Sequence, residues 1–556
     1  MLPVRIRQSV TLAALAGVLA AAAAAGSANG PRFYPDDPIA AYPDTQDASG
    51  VLARDYSLSY ELLVDQFRSP LAPPPAPSRS TNTIDEVPDS SWFVNRIGVR
   101  DLSAEQVRRG PDTQAEPAPR PWTVIAGKSD GVTPGFTIRD ARGEVYFIKF
   151  DPRGWRGMAT GTEVVATKIF HALGYHVPEN YVVQVRRQDL SVGQGANYRP
   201  RGNPRRRPFR ESDIDDMLRE VEGDPDGSYR AVASKGLPGK PLGGFRYFGT
   251  RPDDPNDVIP HEHRRELRGL RVFAAWLNHV DVKGINTLDT LVQQDGRSFV
   301  RHHLLDFGST MGSAATGPRD PNEGWEYLYE GDTLVKSLVT LGFYLRPWQT
   351  IGYRVYPQIG RIEGDRFDPA AWKPRVPNQA FLRARADDLY WGARLAMRFS
   401  DELIRAAVET GDFGNAEAEQ HLASVLMKRR DAVGRAWLAT VNPVYMPALD
   451  QSGRLTFSNP AVDHGLAPAP GGWRAEWARF DNATGDVTPI GEGTVSSSTT
   501  IQAPAGLPSA EGSFVRVAVS AHDAPHPSWT KPVHAFFARR NGSWALVGFE
   551  RIPHEQ

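Results

Sequence analysis

Regular alternation of apolar and polar positions begins at Trp122. In "FTIRDARGEVYFIKFDP", Val145, Phe147 and Lys149 alternate with Tyr146, Ile148 and Phe150, which predicts two strands joined by the turn "DARGE". The period then changes. Val165, Ile169, Ala172 and Leu173 recur at helical spacing, with Gly174 where a C-cap glycine belongs, and "ENYVVQVRR" returns to strand-like alternation. The order is strand, strand, helix, strand.

Further on, Leu267, Leu270, Phe273, Ala274 and Leu277 share one helical face. Two strands follow, "TLDTLV" and "SFVRHHLL", joined at Asp295-Gly296, a strong hairpin signal. Helices are expected over 384–411 and 415–438, the second capped by Asn415 and running through Leu422, Val425, Leu426, Val433 and Trp437. From about 450 the chain reads as short β-runs rich in Gly, Pro, Ser and Thr, with a hairpin at Asn541-Gly542.

Between these blocks the pattern is broken. Residues 29–119 are rich in Pro, Asp and Ser and read as an extended arm, in which Trp92, Phe93 and Ile97 can dock on a neighbouring domain. Residues 191–255 combine "RPRGNPRRRPFR", an acidic stretch and a Gly/Pro-rich stretch. The Arg run could grip a phosphate or an acidic partner, but a Pro-interrupted charge block reads first as a solvated, mobile insert.

Composition narrows the setting. The 556 residues, 40% hydrophobic and 23% charged, leave room for two or three compact units, and a net charge of −1 gives no global pull toward nucleic acid. The N-terminus has a basic Arg5/Arg7 region, an apolar run from Val10 to Ala25 and small residues after it. This predicts a signal peptide over 1–28 and export to the periplasm or medium, the rival being an uncleaved anchor. With no Cys, no disulfide contributes to stability, and no later segment is expected to span a membrane.

Candidate chemistry concentrates in "LNHVDVKGINTLD" and "LLDFG". His279, Asp281, Lys283 and Asn286 form H-x-D-x-K-x-x-N, and Asp306, Phe307 and Gly308 form D-F-G. A strand lysine, Lys149, precedes a helix carrying Glu163. Taken in this order and setting, the pieces resemble the protein-kinase-like superfamily, and its divergent branches most: exported spore-coat kinases, HipA-like kinases and secretory-pathway kinases.

The resemblance implies an α+β fold: a two-lobed protein-kinase-like core with an N-terminal extended arm and a small C-terminal β domain. The N-lobe is placed at 120–190, the C-lobe at 256–445 and the β domain at 450–556. It implies ATP with Mg²⁺ or Mn²⁺ as cofactors. Lys149 would hold the α- and β-phosphates and Glu163 would orient it, Asn286 and Asp306 would ligate the metal, Asp281 would serve the acceptor hydroxyl, and Lys283 would lie over the transferring group. His279 would brace the loop. Gly131 and Gly135, with Gly127, would cover the phosphates, although "GKSDGVTPGFTI" is not G-x-G-x-x-G. The acceptor would be an envelope protein, a sugar or a lipid, with phosphate or AMP transferred.

The sequence departs from the family in a short Lys149–Glu163 gap, a long Asn286–Asp306 gap and no A-P-E. The alternative is an inactive kinase-like binder. Neither "HEHRREL" nor "RHHL" has H-E-x-x-H spacing, and no nucleophile elbow supports a hydrolase.

Overall fold

The alternation at 122–150 folds as a meander of β1 (Trp122–Gly127), β2 (Gly135–Arg139) and β3 (Val145–Phe150) in a computed structural model describing residues 30–552 except 56, 69–75, 114–115, 129–132 and 201–204. The expected signal peptide and Gly131 therefore lie outside the described residues. On β3, Tyr146, Ile148 and Phe150 face the core, which leaves Lys149 on the opposite face.

Helix α3 (Met158–Leu173) follows β3 closely for a local reason. Asp151, two residues beyond Lys149, accepts bonds from the N–H groups of Gly157, Ala159 and Thr160 at 2.8, 2.9 and 2.9 Å. Its carboxylate satisfies the orphan donors of the helix start, so strand end and helix start are tied together. The short Lys149–Glu163 gap follows from this.

The sheet continues through β4 (Asn180–Val185), β5 (Leu190–Tyr198), β6 (Arg207–Pro208) and β7 (Tyr229–Lys235), with α4 (Glu211–Glu220) before β7. Strand order is β4-β7-β3-β2-β1-β5-β6, antiparallel except for β1 and β5. The expectation of a mobile insert over 191–255 is corrected here for the described residues, which exclude 201–204 of the Arg run. β7 lies between β4 and β3 with its central residues buried, and β5 pairs with β1, so the small lobe runs to Lys235. Val232 and its neighbours were masked in the sequence by the charged helix before them and the glycines and prolines after them.

The second lobe is built on α5 (Arg265–Leu277). A short β8 (Lys240–Pro241) precedes it and pairs with the hairpin of β9 (Thr287–Gln294) and β10 (Arg297–Leu304) that follows it, and a ribbon of β11 (Ser313–Ala314) and β12 (Gly317–Pro318) comes next. Asp295 and Gly296 both have positive φ, as the two-residue turn requires. Helices α6 (Gly331–Val339), α7 (Gln379–Leu382), α8 (Ala386–Met397), α9 (Asp401–Glu409) and α10 (Ala416–Trp437) complete the lobe. The single helix expected at 384–411 is two, because the Ser400 hydroxyl caps a new start at Leu403 N–H. Gly269 lets α5 approach α8: a Cβ there would sit 2.5 Å from the Trp391 ring.

The tail forms two sheets from β13 (Tyr445–Leu449), β14 (Arg454–Ser458), β15 (Gly472–Phe480), β16 (Val487–Pro489), β17 (Thr494–Ser496), β18 (Thr500–Gln502), β19 (Phe514–His522), β20 (Val533–Arg540) and β21 (Ser543–Glu550). Its apolar interior is continuous with that of the helical lobe, and Arg551 lies 4.2 Å above the Tyr390 ring while donating to Asn442 O.

The described residues of 30–119 form a strap rather than an extended spacer, and they include α1 (Leu58–Arg68) and α2 (Ala104–Arg109); most of the proline run of the arm, 69–75, lies outside the described residues. Phe33 is buried against Phe480 and Phe536, Trp92 stacks on His302 at 3.5 Å, and Phe93 is enclosed by Tyr175 and Trp391. The class is the expected one: α+β, two lobes, an N-terminal arm and a C-terminal β unit. Among the described residues no helix is long and apolar enough to cross a membrane.

Candidate functional site

A cleft of about 480 Å³ opens between the lobes, and Lys149, Glu163, Asp281, Lys283, Asn286 and Asp306 all line it. They reach it from four elements: β3, α3, the loop after α5, and the turn after β10.

Lys149 is held from both lobes. Its Nζ lies 2.8 Å from Asp306 Oδ1 and 3.4 Å from Glu163 Oε2. Burial alone would push the ammonium pKa down, but the Asp306 and Glu163 carboxylates more than offset this and raise it. The Lys149 ammonium in turn holds the Asp306 carboxyl below its ordinary range.

Glu163 has a second task. Its Oε1 accepts from Phe307 N–H at 3.1 Å and its Oε2 from Gly308 N–H at 2.8 Å, so one buried carboxylate fixes both Lys149 and the D-F-G backbone. The approach requires glycine: a Cβ on Gly308 would lie 2.9 Å from Glu163 Oε2. Phe307 is fully buried, stacked on Phe170 of α3 at 4.8 Å, and its ring is 5.8 Å from that of His279. An aromatic column thus joins α3, the D-F-G turn and the loop, and His279 has the packing position expected of a brace. Asp306 itself sits in the left-handed region, at φ 61°, ψ 58°.

The loop forms where α5 ends at Asn278, in left-handed conformation. Asn286 Nδ2 donates to Asp281 O at 2.8 Å and to Asp281 Oδ2 at 3.0 Å, and Lys283 Nζ lies 2.5 Å from Asp281 Oδ1. Burial would raise the Asp281 pKa, yet Lys283 and Arg319 outweigh it and hold the carboxyl down at about 2. Burial lowers the His279 pKa to about 4, so that ring is neutral near pH 7.

The long Asn286–Asp306 gap has a geometric answer. β9 and β10 pair from Gln294–Arg297 at the turn down to Thr287–Leu304, and Leu305 N–H donates to Asn286 O at 2.9 Å. The hairpin projects away and returns the chain to its starting point.

Gly135 pairs with Lys149 across β2 and β3, and a Cβ there would meet Ile148 O at 2.2 Å. Its requirement for glycine is met by the sheet itself. Lys128, Arg319 and Arg375 also line the cleft and were not singled out by sequence reasoning. Arg319 donates to Ser313 O at 3.0 Å and pairs with Glu323 at 2.6 Å. No motif marks it, since its place depends on the folding of the segment after D-F-G.

No family model matches the chain, and no curated protein matches it significantly. Among solved structures, the Helicobacter pylori proinflammatory kinase CtkA aligns at 14% identity over 56% of this chain and 97% of its own, with a TM-score of 0.28. A Golgi casein kinase aligns at 9% identity over 72% and 96%, with a TM-score of 0.26. At scores this low the superpositions do not bear on the chemistry of the cleft.

Proposed function

We propose that this protein is an exported phosphotransferase that moves the γ-phosphoryl group of Mg-ATP, or Mn-ATP, to a hydroxyl of an envelope protein, sugar or lipid. The supporting observation is the bracketing of Lys149 by Glu163 and Asp306, with Asp281, Lys283 and Asn286 on the facing loop of the same cleft. Keeping this many ionised groups together in a partly enclosed site is costly unless a ligand uses them.

The residues suit a metal. Asp306 is half exposed to the cleft, and both hydrogen bonds of the Asn286 side chain are made by Nδ2, which leaves its Oδ1 without a protein partner among the described residues. These hard oxygen donors would hold Mg²⁺, which neutralises phosphate charge when bound. Lys149 would exchange its Asp306 contact for phosphate oxygens, with Glu163 keeping its orientation.

Asp281, at a pKa of about 2, is ionised at any physiological pH but weakly basic. It orients the acceptor hydroxyl and takes its proton late, once the new oxygen–phosphorus bond has largely formed and the bond to the leaving ADP oxygen has largely broken. Lys283 supplies positive charge beside that exchange.

The test is incubation of the protein with γ-labelled or α-labelled ATP, Mg²⁺ or Mn²⁺, and envelope extract. Label from γ alone supports phosphoryl transfer, and label from α makes the enzyme a nucleotidyltransferase. Metal-dependent nucleotide binding with no labelled product makes it a binder only.

A further inference from the structure

A second cavity, of about 340 Å³, shares no lining residue with the cleft. Its walls come from the end of α3 (His171), the loop after it (His176 and Glu179), the end of β7 (Lys235), the arm (Arg96) and β10 (Arg301 and His303). It therefore sits where both lobes and the strap meet.

Two of the three basic side chains there are without a carboxylate in contact. Lys235 is matched by Glu144 at 2.8 Å and by Glu179 at 3.9 Å. Among the described residues neither Arg96 nor Arg301 has a carboxylate within ion-pair distance, Asp89 and Asp44 acting on them only at longer range. Arg96 Nη1 instead donates to the carbonyls of His171 and Tyr175 at 2.8 and 3.3 Å, and Arg301 Nε is buried without a hydrogen-bond partner, its guanidinium 5.3 Å from the Phe299 ring. His303 is 3% exposed. Its Nε2 lies 3.2 Å from the Thr290 hydroxyl, and its Nδ1 has no partner. With the hydroxyl donating to Nε2, Nδ1 carries the hydrogen and is a buried donor without an acceptor. Burial, reinforced by the neighbouring cations, pushes His171 and His176 down to about 3. The imidazoles are neutral, and the net positive charge belongs to the guanidiniums.

The geometry points to a binding site for a phosphate-class oxyanion, held by Arg301 and Arg96 with His303 Nδ1–H as a neutral donor. Guanidinium forks match the paired oxygens of such an anion, and both guanidiniums here are half-buried with no ion-pair partner to answer their charge. Phosphate monoesters and free phosphate present the same group. The site also touches the catalytic arrangement mechanically: Leu304 N–H donates to His176 O at 3.0 Å, and Asp306 lies two residues further on. An occupant would tie the end of α3 to the strand that carries D-F-G.

The test uses the full chain and inorganic phosphate, glycerol phosphate and citrate, each against sodium chloride at equal ionic strength, read by thermal shift and by phosphorus NMR line broadening. Saturable stabilisation by phosphate is expected in the wild type and in Lys149→Gln, which removes a cleft cation, and should weaken at least tenfold in Arg301→Gln and in His303→Phe. A larger response to glycerol phosphate than to phosphate identifies a monoester as the ligand, and equal responses identify the free ion. Loss of the effect in Lys149→Gln but not in Arg301→Gln would place the anion in the cleft and overturn the inference. So would a citrate response equal to phosphate, or no broadening of the phosphate signal by the wild type. That last measurement needs no variant to fold.

Discussion

Lys149 Nζ and Asp306 Oδ1 are 2.8 Å apart although the two residues are 157 positions apart in the sequence, and Asp306 gives the ammonium a closer partner than Glu163 does. One contact therefore joins the lobes across the floor of the cleft. Removing the Asp306 charge in Asp306→Asn should weaken Mg²⁺-dependent nucleotide binding. The nucleotide-induced rise in melting temperature should shrink accordingly, because it scales as RT ln(1 + [L]/Kd). An unchanged rise, measured by scanning calorimetry, would mean that Asp306 does not serve the metal.

Asp281→Asn should separate binding from chemistry. Nucleotide affinity should stay nearly unchanged while transfer falls by about 10²-fold or more, since orientation and proton acceptance act on the transition state. A proportional loss of binding would show that Asp281 is part of the nucleotide site instead.

Glu163→Ala should cost stability as well as function. It leaves the Phe307 and Gly308 N–H groups without their acceptor in a site where Glu163 is 2% exposed, so a loss of about 3 kcal/mol in urea unfolding is expected. Glu163→Gln retains an acceptor and should recover part of that loss, though not nucleotide binding.

Acid should destabilise the fold earlier than its carboxylates alone would dictate. His171 and His176, with pKa near 3, and His279, near 4, bind protons in the unfolded chain before they do so in the folded one. A histidine whose folded pKa is depressed contributes stability that is present above about 6.5 and is lost as pH falls toward the folded value. For His279 alone this amounts to about 3 kcal/mol. Melting temperature should therefore drop steadily between pH 6.5 and 4, and a His279→Gln variant should show a shallower slope.

Helix α6 and the turn after it expose Leu334, Leu338, Leu341 and Phe343 at 70, 75, 86 and 89%. A patch of this kind binds apolar probes. Anilinonaphthalene sulfonate should fluoresce with the folded protein, and Leu338→Gln with Phe343→Ser should remove the signal without lowering the melting temperature, since neither side chain is buried.

The sequence by itself determined the local elements and the chemical alphabet. Alternation at Val145–Phe150, helical spacing from Val165 to Leu173, Asn415 as a cap and the Asp-Gly and Asn-Gly turns are short-range properties, decided by backbone and solvent within a few residues. The order of Lys149, Glu163, Asp281, Asn286 and Asp306 was legible for the same reason.

Tertiary structure decided what depends on distant partners. β7 is a central strand only because β3 and β4 enclose it, and no charge count over 191–255 reveals those neighbours. The proline-rich arm becomes a strap because aromatic pockets in two other units bury Phe33, Trp92 and Phe93. Arg319 enters the cleft only through a chain path fixed after D-F-G. Nor could spacing have shown that Glu163 accepts from Phe307 and Gly308, since that bond exists only once Phe307 has packed on Phe170 and carried the turn against α3.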